Sequence, residues 1–201
     1  PLGARAASSV QVVTRTANGV GIDGPSALPV RSILSGSLPS GLRFVTAYDT
    51  PGILTTAFIS FVSTGALPKG GVIQVKLPNA GWSLPPKPMV AFSAPAGVTA
   101  GSVHVNTSVH TTQNSWDAVT QTLRIVLDTA IAPNRAVNVT VKGVSTPPSA
   151  KLAGVAVLST FGSMTESSIL DGPGNAATDA ISAGILSGVL RWDSAIDCPP
   201  A

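Results

Sequence analysis

Apolar and polar residues alternate with a period of two along most of this chain. Ile73, Val75 and Leu77 fall on one side with Gln74 and Lys76 opposite. Leu123, Ile125 and Leu127 alternate with Arg124, Val126 and Asp128, and Val137, Val139 and Val141 with Asn138, Thr140 and Lys142. A two-residue period puts one face of a strand in a core and leaves the other to water, so these segments predict half-buried antiparallel strands. The run Thr55–Thr64 is apolar on both faces and predicts a central strand covered on each side. Val103, Val105 and Val109 predict another, with His104, Asn106, Ser108 and His110 on its polar face. Leu42–Ala47, Met89–Ser93 and Ala153–Leu158 add to a total of about nine strands. Between them lie Asp49-Thr50-Pro51-Gly52, Pro68-Lys69-Gly70-Gly71, Asn79-Ala80-Gly81, Pro95-Ala96-Gly97 and Pro147-Pro148, turns in which Gly supplies a positive φ and Pro presets a negative one. Such spacing, without helical periods, predicts an all-β, antiparallel immunoglobulin-like β-sandwich with an extra N-terminal strand and Gly/Pro-rich linkers. The one candidate helix is a turn or two within Ala176–Ile185.

The pattern divides the chain into an N-terminal extension carrying one strand (1–17), a linker (18–41), a sandwich body (42–161), and a second linker with a C-terminal tail (162–201). An internal repeat spans these parts. Val10-Gln11-Val12-Val13-Thr14-Arg15-Thr16, Ile22-Asp23-Gly24-Pro25 and Ile33-Leu34-Ser35-Gly36-Ser37-Leu38 return in order as Val155–Phe161, Leu170-Asp171-Gly172-Pro173 and Ile185–Leu190. The steps are 145 (155−10), 148 (171−23) and 152 (186−34) residues. The N-terminal segment thus copies the closing strand and exit linker of the body behind it. The tail Leu186–Trp192 also resembles the approach to the body at Leu38–Phe44. A spare closing strand belongs either to a tandem array or to a chain that lends it to a neighbour.

Composition moves the picture away from a cytosolic enzyme. Of 201 residues, 10% are charged and 4% aromatic, while Ser, Thr, Gly, Pro, Ala and Val fill the chain as in β-rich extracellular material. The net charge of +3 arises from scarce acids and not from a basic cluster, so no nucleic-acid footprint is present. Cys198, the single cysteine, forms no internal disulfide, and no run of 18 apolar residues predicts a membrane span. Starting at Pro1 instead of Met, the chain is expected to be a processed or excised product.

The residues that could carry chemistry do not converge. His104 and His110 are six residues apart on one strand, about 20 Å at ~3.3 Å per residue, too far to share a metal. Ser102 or Ser115 with His110 and Asp117 lacks a nucleophile elbow, and Glu166 is the only glutamate, so neither a catalytic site nor a cofactor is expected. Asp23-Gly24-Pro25 and Asp171-Gly172-Pro173 each offer one carboxylate, favouring a tight turn over a calcium site that needs six to eight oxygens. Trp82 and Trp116 are candidates for stacking on a sugar, against the simpler role of plugging the ends of a sandwich. Asn106-Thr107-Ser108 and Asn138-Val139-Thr140 match the N-glycosylation pattern, with both asparagines on polar faces.

An isolated strand cannot fold alone and must add to a sheet. The layout of a short N-terminal strand (Val10, Gln11, Val12, Val13, Thr14, Arg15 and Thr16), a linker and one sandwich resembles the pilus and fibril subunits that assemble by donor-strand exchange. The resemblance is one of layout, not of a sequence motif. It implies a non-enzymatic, extracellular or cell-surface filament of copies of this chain, each strand completing a neighbour's sandwich; the two N-glycosylation patterns add glycans as candidate covalent partners. A module of a tandem-repeat adhesin, or a carbohydrate-binding domain, is the alternative.

Overall fold

The computed structural model describes residues 6–38, 41–78, 81–99, 114–166 and 169–184. Among these residues there are eleven strands: β1 (Ser8–Arg15), β2 (Gly21–Val30), β3 (Arg43–Thr46), β4 (Leu54–Ser63), β5 (Val72–Lys76), β6 (Met89–Ala94), β7 (Ser115–Asp117), β8 (Thr122–Val126), β9 (Arg135–Ser145), β10 (Val155–Phe161) and β11 (Ile169–Ala177). Every strand pairing is antiparallel. β1 and β2 form a sheet of their own, a second sheet runs β11-β10-β5-β8-β7, and a third runs β3-β4-β9-β6.

The two larger sheets share one core. Ile73, Val75, Leu123, Ile125, Ala156 and Leu158 of the five-stranded sheet are buried in the same cluster as Phe44, Ala57, Ile59, Phe61, Val137, Val139 and Val141 of the four-stranded sheet. The alternation read from the sequence supplies these faces, and its polar partners lie outside. The result is an all-β, sandwich-like body.

Several segments depart from the sequence reading. β2 occupies residues assigned to the first linker, and β11 residues assigned to the second; both are rich in Gly, Pro and Asp, which pattern alone reads as loop. Val10–Thr16 is therefore not an isolated strand but half of a hairpin. Of the candidate helix Ala176–Ile185, the described residues 176–184 form no helix: Ala177 ends β11, and Ile181 bridges to Lys151. β4 is covered on one face only, with Phe58 44% exposed on the other. The strand expected around Val103–Val109, with Ser102, His104, Asn106 and His110, lies outside the described residues, as do Trp192 and Cys198. Among the described residues no helix is long and apolar enough to cross a membrane.

Candidate assembly site: two matching hairpins

The closing hairpin of the body is β10–β11. Its inner strand β10 pairs with β5, and Ala156, Leu158 and Thr160 point inward. On β11 the residues opposite them are Ala176, Gly174 and Asp171, all buried. Between the pairs Leu158↔Gly174 and Thr160↔Asp171 the register shifts, one residue (Ser159) standing against two (Gly172 and Pro173). This is a β-bulge, a position where Pro can sit because a ladder N–H is not needed.

β1–β2 reproduces this hairpin pair by pair. Val10↔Leu28 stands for Ala156↔Ala176, Gln11↔Ala27 for Val157↔Asn175, Val12↔Ser26 for Leu158↔Gly174, Thr14↔Asp23 for Thr160↔Asp171, and Arg15↔Gly21 for Phe161↔Ile169. Ser9↔Pro29 stands for Val155↔Ala177, and Ser8↔Val30 for the Gly154–Thr178 contact, where the Thr178 N–H donates to the Gly154 carbonyl at 2.9 Å. The bulge recurs with Val13 against Gly24 and Pro25. The step between copies is 146 residues for the first strand and 148 for the second (160−14 and 171−23), so the strand offset of 145 read from the valines is corrected by one. Even the polar pair is kept. The Asp171 N–H donates to Thr160 Oγ1 at 3.0 Å, and the Asp23 N–H to Thr14 Oγ1 at 3.1 Å, while the Thr14 hydroxyl donates to the Asp23 carboxylate.

In the body, that aspartate ties three segments together. Asp171 is fully buried, and its carboxylate accepts the backbone N–H of Gly65 at 2.9 Å and of Thr64 at 3.2 Å, both beyond the end of β4. The segment that leads into β3 closes over it: Gly36 forms a parallel bridge to Asp171, donating its N–H to the Leu170 carbonyl at 2.7 Å and accepting that of Gly172 at 2.9 Å. The Thr64 hydroxyl donates to the Ser37 carbonyl. A Cβ on Gly36 would lie 2.1 Å from Asp171 Oδ1, so only glycine allows this approach. Burial raises the Asp171 pKa above the usual carboxylate range, opposed by the Gly65 and Thr64 N–H groups and the Thr160 hydroxyl.

The copy has the same faces, and among the described residues nothing buries them. Every residue of β1 and β2 is exposed, and the positions that point inward in the body carry Val10 (52% exposed), Val12 (45%), Leu28 (54%) and Val30 (39%). Among the described residues β1 and β2 have no other strand neighbour.

The remaining sequence candidates disperse. Trp82 is buried, its indole N–H donates to the Pro78 carbonyl at 3.1 Å, and its ring meets Phe44 edge-on at 5.7 Å. It has no free face for a sugar and plugs the core, the simpler of its two readings. Trp116 on β7 packs against the core, and its Nε1 is buried without a hydrogen-bond partner in the described structure. Asn138 is exposed on β9, beside Ser60 and Ala94 of its neighbours. Asp117 caps its own turn, accepting from the Thr120 hydroxyl at 2.7 Å and the Val119 N–H at 2.9 Å, bonds that lower its pKa. Among the described residues no group of His, Cys, Asp or Glu could hold a metal.

What sequence reasoning missed is the second half of each hairpin and the Thr–Asp pair that joins its strands. The recurrence of Thr14 with Asp23 and Thr160 with Asp171 was the available signal. No model of a known protein family matches the chain, and no curated protein is significantly similar to it.

Proposed function

We propose that this chain is a structural module of an extracellular assembly of immunoglobulin-like sandwiches, in which hairpin 8–30 completes a second sandwich of the same design. The carrying observation is the match of β1–β2 to β10–β11 in register, bulge and Thr–Asp pair. The connectivity supports the immunoglobulin-like assignment: β4 pairs with β9 in one sheet and β5 with β10 in the other, as the B–E and C–F strands do in that fold. A lone two-stranded hairpin is at best marginally stable in water. Docking Val10, Val12, Leu28 and Val30 would contribute on the order of several kcal/mol, given about 1.5–3 kcal/mol for each fully buried aliphatic side chain and their present half-exposure.

The unit passed between sandwiches is accordingly a hairpin, not the single strand of donor-strand exchange. The Ile-Leu-Ser-Gly segment that follows each hairpin in the sequence favours modules in line along one polypeptide. Exposed Asn138 is the glycan acceptor of this reading.

The test is a graft within the full chain. Residues 155–160 and 170–178 are replaced by 9–14 and 22–30 carrying Val10→Ala, Ser26→Gly and Leu28→Ala, which match the body's own side-chain sizes, and the loop 161–169 is retained. A cooperative thermal transition with native-like chemical-shift dispersion is the expected result; an unfolded chain would sink the reading.

A further inference from the structure

The hairpins match in strand register and in the place of the bulge, although the Gly-Pro bond there is cis at Gly172–Pro173 and not at Gly24–Pro25; they differ in side-chain size, and that mismatch is directional. At the inward positions Val10 stands for Ala156, Leu28 for Ala176 and Ser26 for Gly174; only Val12, standing for Leu158, is smaller. Ala156 and Ala176 are 1% and 2% exposed inside the core. Interiors are packed like organic crystals, so a slot that holds alanine has no room for valine or leucine without moving its walls. Gly174 is the tightest point. A Cβ there would lie 2.9 Å from Leu38 Cβ and 2.9 Å from Leu42 Cδ2, closer than real contacts allow, and Ser26 would bring both a Cβ and a hydroxyl.

We infer that the partner of hairpin 8–30 is a related sandwich with a wider closing slot, and not a second copy of this body. The inference rests on the proposed hairpin completion and names its partner. That partner presents an open edge equivalent to β5, to pair with β1 as β5 pairs with β10. It presents two adjacent backbone N–H groups, equivalent to those of Thr64 and Gly65, to receive the Asp23 carboxylate. It carries residues smaller than leucine where this body has Leu38 and Leu42. The Asp23–Thr14 pair gives the hairpin its class of acceptor, shared by every sandwich of this design. Val10, Ser26 and Leu28 restrict it within the class. Copies of this chain, each with its slot already filled by β10–β11, are thereby kept from exchanging hairpins into an open homopolymer, a head-to-tail contact that never closes. The expectation of a filament of identical copies gives way to an ordered neighbour of different sequence.

Two grafts into the full chain test this, both with residues 155–160 and 170–178 replaced by 9–14 and 22–30. One keeps Val10, Ser26 and Leu28; the other carries Val10→Ala, Ser26→Gly and Leu28→Ala. Amide hydrogen exchange at Thr64 and Gly65 reads whether the aspartate is seated. The smaller-residue graft is expected to protect these amides, and the unaltered graft to lose at least tenfold of that protection. Adding Leu42→Ala to the unaltered graft, which removes the Cδ2 that lies 2.9 Å from the new Cβ, should restore part of it. Equal protection in both grafts would overturn the inference while leaving hairpin completion intact, because the hairpin would then fit this body and its copies. Loss of folding in the smaller-residue graft would overturn both together.

Discussion

The hairpins β1–β2 and β10–β11 share register, bulge and a threonine–aspartate hydrogen bond, yet one is sealed in a core and the other is bare. Their backbone geometry must therefore come from local chemistry. The Gly-Pro pair, where one residue has no Cβ and the next no N–H, occupies the two-against-one position of the bulge in both hairpins. Threonine then meets aspartate across the strands beyond it. Burial is decided by something else, the presence of β5 on one side and of the Gly36–Leu38 segment on the other. Register is thus written into each hairpin, whereas stability is supplied by its acceptor.

The sharpest contrast is between equivalent core positions. Leu158→Ala removes a side chain that is 1% exposed, and leaves a cavity, so it should cost about 2–5 kcal/mol in the unfolding of the body. Val12→Ala, at the matching position of the free hairpin, should change the same transition by less than ~0.5 kcal/mol. Urea denaturation followed by tryptophan fluorescence reads both, since Trp82 lies in the core. A comparable loss at Val12 would mean that the hairpin is docked on this body after all.

The glycines beside the two aspartates give a second contrast. A methyl on Gly36 would be driven against Asp171 Oδ1 and lie 3.1 Å from Thr64 Cβ, so Gly36→Ala should cost about 1–3 kcal/mol by overpacking. Around Asp23 a Cβ on Gly21 or Gly24 meets nothing within 4 Å. Alanine at either should leave the midpoint of the body unmoved, and a shift on Gly24→Ala would reveal a contact on the free hairpin.

Titration separates the aspartates themselves. Because burial raises the folded-state pKa of Asp171, the folded body holds that proton more tightly than the unfolded chain. Its contribution is largest below the ordinary carboxylate pKa and falls as pH rises through the raised value, after which it is constant. Asp171→Asn keeps an acceptor oxygen for Gly65 but turns an amide toward Thr64, leaving an N–H unpaired at a cost of about 1 kcal/mol. Denaturation of both proteins between about pH 3 and 7 should show the advantage of the wild type greatest at low pH and narrowing upward. Asp117, with its lowered pKa, slopes the opposite way in both proteins and cancels in the difference. A gap that widened with pH would mean that the Gly65 and Thr64 N–H groups outweigh burial in setting the Asp171 pKa.

Much of this was legible in the sequence, and the part that was not has a physical cause. Ile73–Leu77, Leu123–Leu127 and Val137–Val141 alternate because one side of each sheet faces the shared core, and the structure places a strand at each. β11 escaped because its inward positions hold Asp171, Gly174 and Ala176, which carry no apolar period, and β2 because Asp23, Ser26 and the Gly-Pro bulge break the period ahead of Leu28 and Val30. The repeat marked both hairpins before their pairing was visible, since Asp-Gly-Pro recurs where a bulge recurs. Trp82 was ambiguous because only tertiary contact with Phe44 decides whether an indole after a turn faces in or out. Burial of Asp171 could not be read at all, because its partners are the backbone N–H groups of residues 64 and 65, more than a hundred positions away.

The smallest effect lies in the loops, where the hairpins differ most. Between the strands of the closing hairpin, Met164 and Ile169 pack against Val72, Val126 and Phe161 on the outer face of the five-stranded sheet. Glu166 pairs there with Arg124 and accepts from the Gln74 amide at 3.1 Å. The free hairpin turns in fewer residues, from Arg15 to Gly21, and its Arg15 guanidinium donates to the Gly19 carbonyl within that turn. With Arg124 and Glu166 both partly exposed, solvent screens the pair, so Glu166→Gln should cost no more than about 1 kcal/mol, and less at high salt. A salt-independent loss of several times that size would make the loop, and not only the strands, part of what closes a sandwich. Hairpin 8–30, lacking that loop, would then need its acceptor to cover the outer face by other means.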